Sequence, residues 1–124
     1  MRRRALALVL ATSAAAVPAR AQTVDDWLGP DKALHFSVSA LLAGGGYAGA
    51  ALLSERPAVR IGVGAGLALS LGVAKELYDA TGAGDASWRD LTWDALGAGV
   101  GVLSAWLVDR LIESLREPRA VSVR

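Results

Sequence analysis

Apolar residues fall in long blocks along this chain, without the short period of an amphipathic surface helix. Three blocks stand beyond the N-terminal region: Ala33 to Leu53, Ile61 to Ala74 and Ala95 to Val108. The first is apolar or small except for His35 and a few hydroxyls. At 1.5 Å per residue it forms a helix of roughly 30 Å, about one hydrocarbon core. The other two run for 14 residues each without a charge and are marginal spans by themselves. Buried helices of a soluble bundle share this pattern, but helices apolar on every side and rich in glycine suit lipid better than water.

The ends of these blocks carry helix punctuation. Gly29-Pro30 puts proline at a first helical position with Asp31 in the first turn, and Glu55-Arg56-Pro57 closes one helix and opens the next. Gly82 and Gly84 stop the second helix. Ser87-Trp88-Arg89-Asp90 reads as a capping box, in which the serine oxygen and the aspartate each satisfy an orphan backbone donor, opening a third helix to about Glu117. The pattern predicts an all-α, three-helix hairpin bundle, most naturally transmembrane. Gly45/Gly49, Gly62/Gly66 and Gly97/Gly101 each form a G-x-x-x-G pair, predicting a close-packing strip on every helix. The same glycines lack G-x-G-x-x-G spacing, a preceding strand and a P-loop lysine, which argues against nucleotide binding.

The N-terminal residues alter how composition is counted. Arg2 to Arg4, the apolar run Ala5 to Val17 and the small-x-small Ala19-Arg20-Ala21 predict a signal peptide over 1–21, cleaved before Gln22. Residues 22–30 are expected to be a flexible lead-in, 31–117 the helical domain and 118–124 a flexible tail. Arg2, Arg3, Arg4 and Arg20 leave with the leader, so the 13 basic residues become 9 against 12 acidic ones, a net charge near −3. No basic stripe remains for a nucleic acid. Without cysteine, disulfides, thiolate metal sites and a lipidated N-terminal cysteine are excluded.

Leader and charges point to one orientation. With the mature N-terminus outside, Arg56, Arg60, Arg110, Arg116, Arg119 and Arg124 fall inside, whereas only Lys32, Lys75 and Arg89 fall outside. Trp27, Tyr78, Trp88 and Trp93 then occupy an outer aromatic belt. The expected location is the bacterial cell envelope, in the inner membrane with the polar groups facing the periplasm.

That orientation gathers potential acids, bases and ligands at the outer end: Asp31, Lys32 and His35; Lys75, Glu76 and Asp79; Asp90 and Asp94. No comparable group is expected at the inner end. Asp31/His35, Lys75/Asp79 and Asp90/Asp94 are i, i+4 pairs, so each helix presents two polar groups on one face. Helix-dipole and surface ion-pair effects account for Asp31, Lys75, Asp79 and Asp90. They do not account for His35, Glu76 and Asp94, which stand about a turn inside apolar stretches, where an ionisable group is costly unless paired. These three are the candidate catalytic residues, expected to share one site; Asp31, Lys32, Lys75, Asp79 and Asp90 are candidate binding residues. No metal or other cofactor is assigned, since no H-E-x-x-H or comparable signature is present.

The segments Asp31-Lys32-Ala33-Leu34-His35-Phe36, Ser70 to Asp79 and Ser87 to Asp94 with Gly97 resemble the YfiM-like family of predicted periplasmic lipoproteins over roughly Asp31 to Trp106. The D-K-x-x-H-F start, the mid-chain glutamate and the S-x-x-D-x-x-x-D segment are more distantly similar to VanZ-like membrane proteins linked to glycopeptide resistance. The lipoprotein cysteine is missing, so lipid anchoring does not carry over, and neither resemblance implies a reaction. Two readings follow. In the first, the chain is a non-catalytic envelope protein whose polar cluster locks the helices or meets a partner, with membrane lipid, other envelope proteins or a second copy as partners. In the second, it is a membrane-embedded enzyme or binder of lipid-linked or phosphate headgroups, with His35 as base, Lys32 and Lys75 holding the anion, and metal assistance as a variant.

Overall fold

A computed structural model describes residues 24–116. The predicted signal peptide and C-terminal tail lie outside the described residues. Within them the chain is all-helical: α1 Pro30–Ala50, α2 Pro57–Tyr78 continuing into a π-helical turn at Asp79–Ala83, and α3 Trp88–Arg116. The predicted starts hold, because Pro30 and Pro57 stand in the first helical turns, where a missing N–H costs nothing. Gly82 ends the π turn at φ 97°, a conformation glycine adopts without a Cβ clash.

The candidate spans differ from those expected. α2 with its π turn, and α3, are long and apolar enough to cross a membrane; α1 is not among them. α1 stops at Ala50, losing Leu52 and Leu53 to looser turns, and Gly44 to Gly46 and Tyr47 dilute its hydropathy. α2 and α3 gain length beyond their uncharged cores. Only 17% and 22% of their most apolar windows are buried, where the core helix of a soluble protein would be mostly buried.

The packing is the reverse of a water-soluble bundle. Its apolar core consists of Ala43, Ala68 and Ala98, one from each helix, flanked by Leu42 and Val102. Large apolar side chains such as Leu41, Leu71, Leu103 and Leu107 point outward, while Lys32, Glu76, Asp90 and Asp94 are buried. Small residues inside let the backbones approach, and α1 packs against both other helices, most extensively α3.

Of the three predicted glycine strips, one is used. A Cβ built on Gly97 or Gly101 meets the backbone oxygen of Phe36 or Ala40 at 2.1 and 2.2 Å, so α3 touches α1 there. Gly45, Gly49, Gly62 and Gly66 face open space. Close approach between α1 and α2 is made by Gly46 and Gly64 instead. Each residue turns a helix by about 100°, so a neighbouring position in sequence lies on a different face.

Candidate functional site

Every polar residue singled out from the sequence joins one network at one end of the bundle. Its hub is Asp90, in the first turn of α3. Asp90 Oδ1 accepts from Lys32 Nζ of α1 at 2.5 Å, and Oδ2 lies 3.3 Å from Lys75 Nζ of α2 and 3.2 Å from His35 Nε2 of α1. One carboxylate therefore ties all three helices. Lys32, only 2% exposed, is completed by Asp31 at 2.8 Å and by Asp25. Lys75 is completed by Glu76 and Asp79, each at 2.9 Å. Both ammonium groups thus have three carboxylate partners, as many as they have donors.

Asp90 is free to be the hub because its expected capping role is shared out. Its N–H donates to Ser87 Oγ at 3.2 Å, as a capping box requires. The reciprocal bond is absent: the Ser87 N–H donates to Glu76 Oε2 at 2.5 Å, from the neighbouring helix. Glu76 takes over the cap, and the Asp90 side chain turns to the cations.

Below the hub, His35 Nδ1 stands 3.1 Å from Asp94 Oδ1, which also accepts from Ser39 Oγ at 2.7 Å. Asp94 Oδ2 is buried without a hydrogen-bond partner and packs against Gly72, where any Cβ would come within 2.6 Å of it. A cavity of about 240 Å³ opens beside this pair between α1 and α2, walled by Leu34, Val38, Leu42 and Leu71. The expected His35, Glu76 and Asp94 site is therefore only partly direct. His35 and Asp94 are in contact, whereas Glu76 reaches them through Lys75 and Asp90. Its oxygen, His35 nitrogen and Asp90 oxygen nonetheless lie within 4.8 Å of one another. The Asp94 and His35 arrangement orients an imidazole, but no serine among the described residues follows it: Ser39 and Ser87 donate to Asp94 and Asp25 and not to Nε2.

Asp25, the pairing of Ser39 with Asp94 and the contacts at the opposite end of the bundle escaped the sequence reading. The lead-in expected to be flexible is fastened here, since Asp25 pairs with Lys32 and accepts from Ser87 Oγ at 2.7 Å. The hydrogen bond from the Lys32 ammonium, and then that from Ser87, hold the Asp25 carboxyl below its ordinary 3.8. Trp27 lends its backbone oxygen to Trp93 Nε1 at 2.9 Å and meets Trp88 edge to face at 4.8 Å. Nothing in a run of polar tail residues marks which one will reach a buried lysine. At the opposite end, where no comparable polar cluster was expected, Asp109 Oδ2 accepts from Tyr47 at 2.9 Å and from Arg60 at 2.8 Å, again joining all three helices. The buried positions of Tyr47 and Arg60 depend on helix rotation, and Asp109, beside Arg110 just past the apolar run, carries no sequence mark of its partners.

No family model, curated protein or solved structure matches this chain.

Proposed function

We propose that this chain is a small membrane protein of the bacterial cell envelope, exported and inserted as a three-helix bundle, whose periplasmic polar cluster is a structural lock between the helices. The resemblance to the YfiM-like family belongs to this reading. The observation that carries it is the Asp90 carboxylate, shared among Lys32, His35 and Lys75 on two other helices. Asp90 is buried between the three helices, shielded from competing water, so the network it joins selects one helix register. The headgroup-binding reading is less favoured, because the donors of Lys32 and Lys75 are already taken by carboxylates. A phosphate would have to displace them.

Asp90→Asn tests the lock. It keeps the shape but removes the charge facing two ammonium groups, and breaking a buried ion pair from one side costs about 3–5 kcal/mol. The expected result is strongly reduced accumulation of the variant in alkali-washed membranes, with Asp85→Asn, which has no such partners, accumulating like the parent. Normal accumulation of Asp90→Asn, or recovery of the parent as a soluble periplasmic monomer, would overturn the proposal.

A further inference from the structure

His35 is held between two carboxylates, and a neutral imidazole cannot satisfy both. It has one N–H. With that N–H given to Asp94 at Nδ1, Nε2 turns its lone pair on Asp90 Oδ2, 3.2 Å away. Two lone pairs at that distance repel unless a second ring proton or a metal cation stands between them. The spacing suits one: donors bound at about 2.0–2.2 Å, as to zinc, and this far apart subtend roughly 100° at the ion, near the tetrahedral angle. Asp94 on Nδ1 is also the carboxylate arrangement that orients metal-binding imidazoles and raises their basicity.

Glu76 supplies a third donor, and its oxygen, the His35 nitrogen and an Asp90 oxygen lie within 4.8 Å of one another. The three come from α2, α1 and α3. Charge favours a further cation, because Asp25, Asp31, Glu76, Asp79, Asp90 and Asp94 outnumber Lys32, Lys75 and Arg89 in the same network. A cation already stands at this position: the Lys75 ammonium, 2.9 Å from Glu76 and 3.3 Å from Asp90. Unlike Lys32, Lys75 has a side chain that is 42% exposed, and it keeps Asp79 as a partner one helical turn away if it withdraws.

We propose that His35 Nε2, Glu76 and Asp90 bind a divalent transition-metal cation in place of the Lys75 ammonium, clasping one ligand from each helix. Nitrogen and carboxylate oxygen donors of this kind suit zinc. The inference rests on the three-helix junction assigned above and gives that junction a ligand.

Zinc is the probe. The full chain, purified in detergent and stripped with chelator, is titrated with Zn²⁺ and its metal content measured after dialysis. The expected result is one zinc per chain and a melting temperature that rises with zinc, because an ion bound to the folded state alone stabilises it by mass action. His35→Ala and Glu76→Gln should abolish stoichiometric binding, and Asp94→Asn should weaken it by about 10–100-fold. Lys75→Ala decides most sharply, since removing the competing ammonium should tighten zinc binding about tenfold, the converse of an opposite charge lost from a purely structural pair. Cobalt in the unaltered chain should give the strong visible absorption of a tetrahedral site, a readout that survives if the ligand variants fail to fold. Absence of stoichiometric zinc in the unaltered chain, or weaker binding by Lys75→Ala, overturns the proposal. If Asp90→Asn still fails to accumulate while the parent takes up no zinc, the lock stands and the metal falls. If Asp90→Asn accumulates normally while the parent binds zinc, the lock falls.

Discussion

Alanine placed at successive glycines of α3 should change stability in opposite directions. At Gly101 the added Cβ would lie 2.2 Å from the Ala40 carbonyl oxygen, and at Gly97 2.1 Å from that of Phe36. Carbon and oxygen rest at about 3.3–3.6 Å even in favourable contacts. The obstructing atoms are backbone and cannot rotate aside, so α1 and α3 must part by roughly 1 Å. That movement would take His35 and Asp94, now 3.1 Å apart, beyond hydrogen-bonding reach. Overpacking costs about 1–3 kcal/mol, and each loosened hydrogen bond a further ~0.5–1.5 kcal/mol. Alanine's better helix propensity offsets about 1 kcal/mol of this. The net expectation for Gly101→Ala is a loss of about 1–3 kcal/mol. At Gly99 a Cβ meets nothing within 4 Å, so only the propensity gain remains, about 0.5–1 kcal/mol in favour of the variant. Unfolding in mixed micelles, followed by circular dichroism, should therefore separate Gly99→Ala from Gly101→Ala by roughly 2–4 kcal/mol. If Gly97→Ala and Gly101→Ala were as stable as Gly99→Ala, the close approach of α1 and α3 would be refuted, and with it the contact that positions the polar cluster.

Two further expectations concern acid and orientation. Asp25 has its carboxyl lowered by Lys32, so its contribution is fully present above its ordinary 3.8 and disappears as pH falls through that value towards the lower folded one. The stability difference between the parent and Asp25→Asn should accordingly be small, because water screens a side chain that is 39% exposed, but constant from pH 7 to 5 and declining once the pH falls below 3.8; a difference that grows in acid would contradict the pairing. A reporter active only outside the cytoplasm should work when fused near Gly84 and fail near Arg56 or after Arg119, following the arginine bias; activity at Arg56 would invert the topology.

Local chemistry alone determined the helices and their starts. Proline cannot donate an i to i−4 bond, so Pro30 and Pro57 open helices wherever they stand, and Ser87 caps the third because its hydroxyl reaches the Asp90 N–H. The gathering of His35, Lys75, Glu76, Asp90 and Asp94 at one end was equally legible, since connectivity places helix ends together whatever the packing. Which atoms meet there was not. The choice of Glu76 over Asp90 as the cap partner of Ser87, the capture of Asp25 by Lys32, and the meeting of Tyr47, Arg60 and Asp109 at the far end all depend on how each helix is rotated about its axis. The glycine pairs show why. Gly97 and Gly101 face α1, whereas Gly45/Gly49 and Gly62/Gly66, with the same spacing, face outward. A spacing repeats along a helix but carries no information about which side a neighbour occupies. That side is decided when three helices find the one arrangement in which small residues touch, large apolar ones face out, and every buried cation finds its carboxylates.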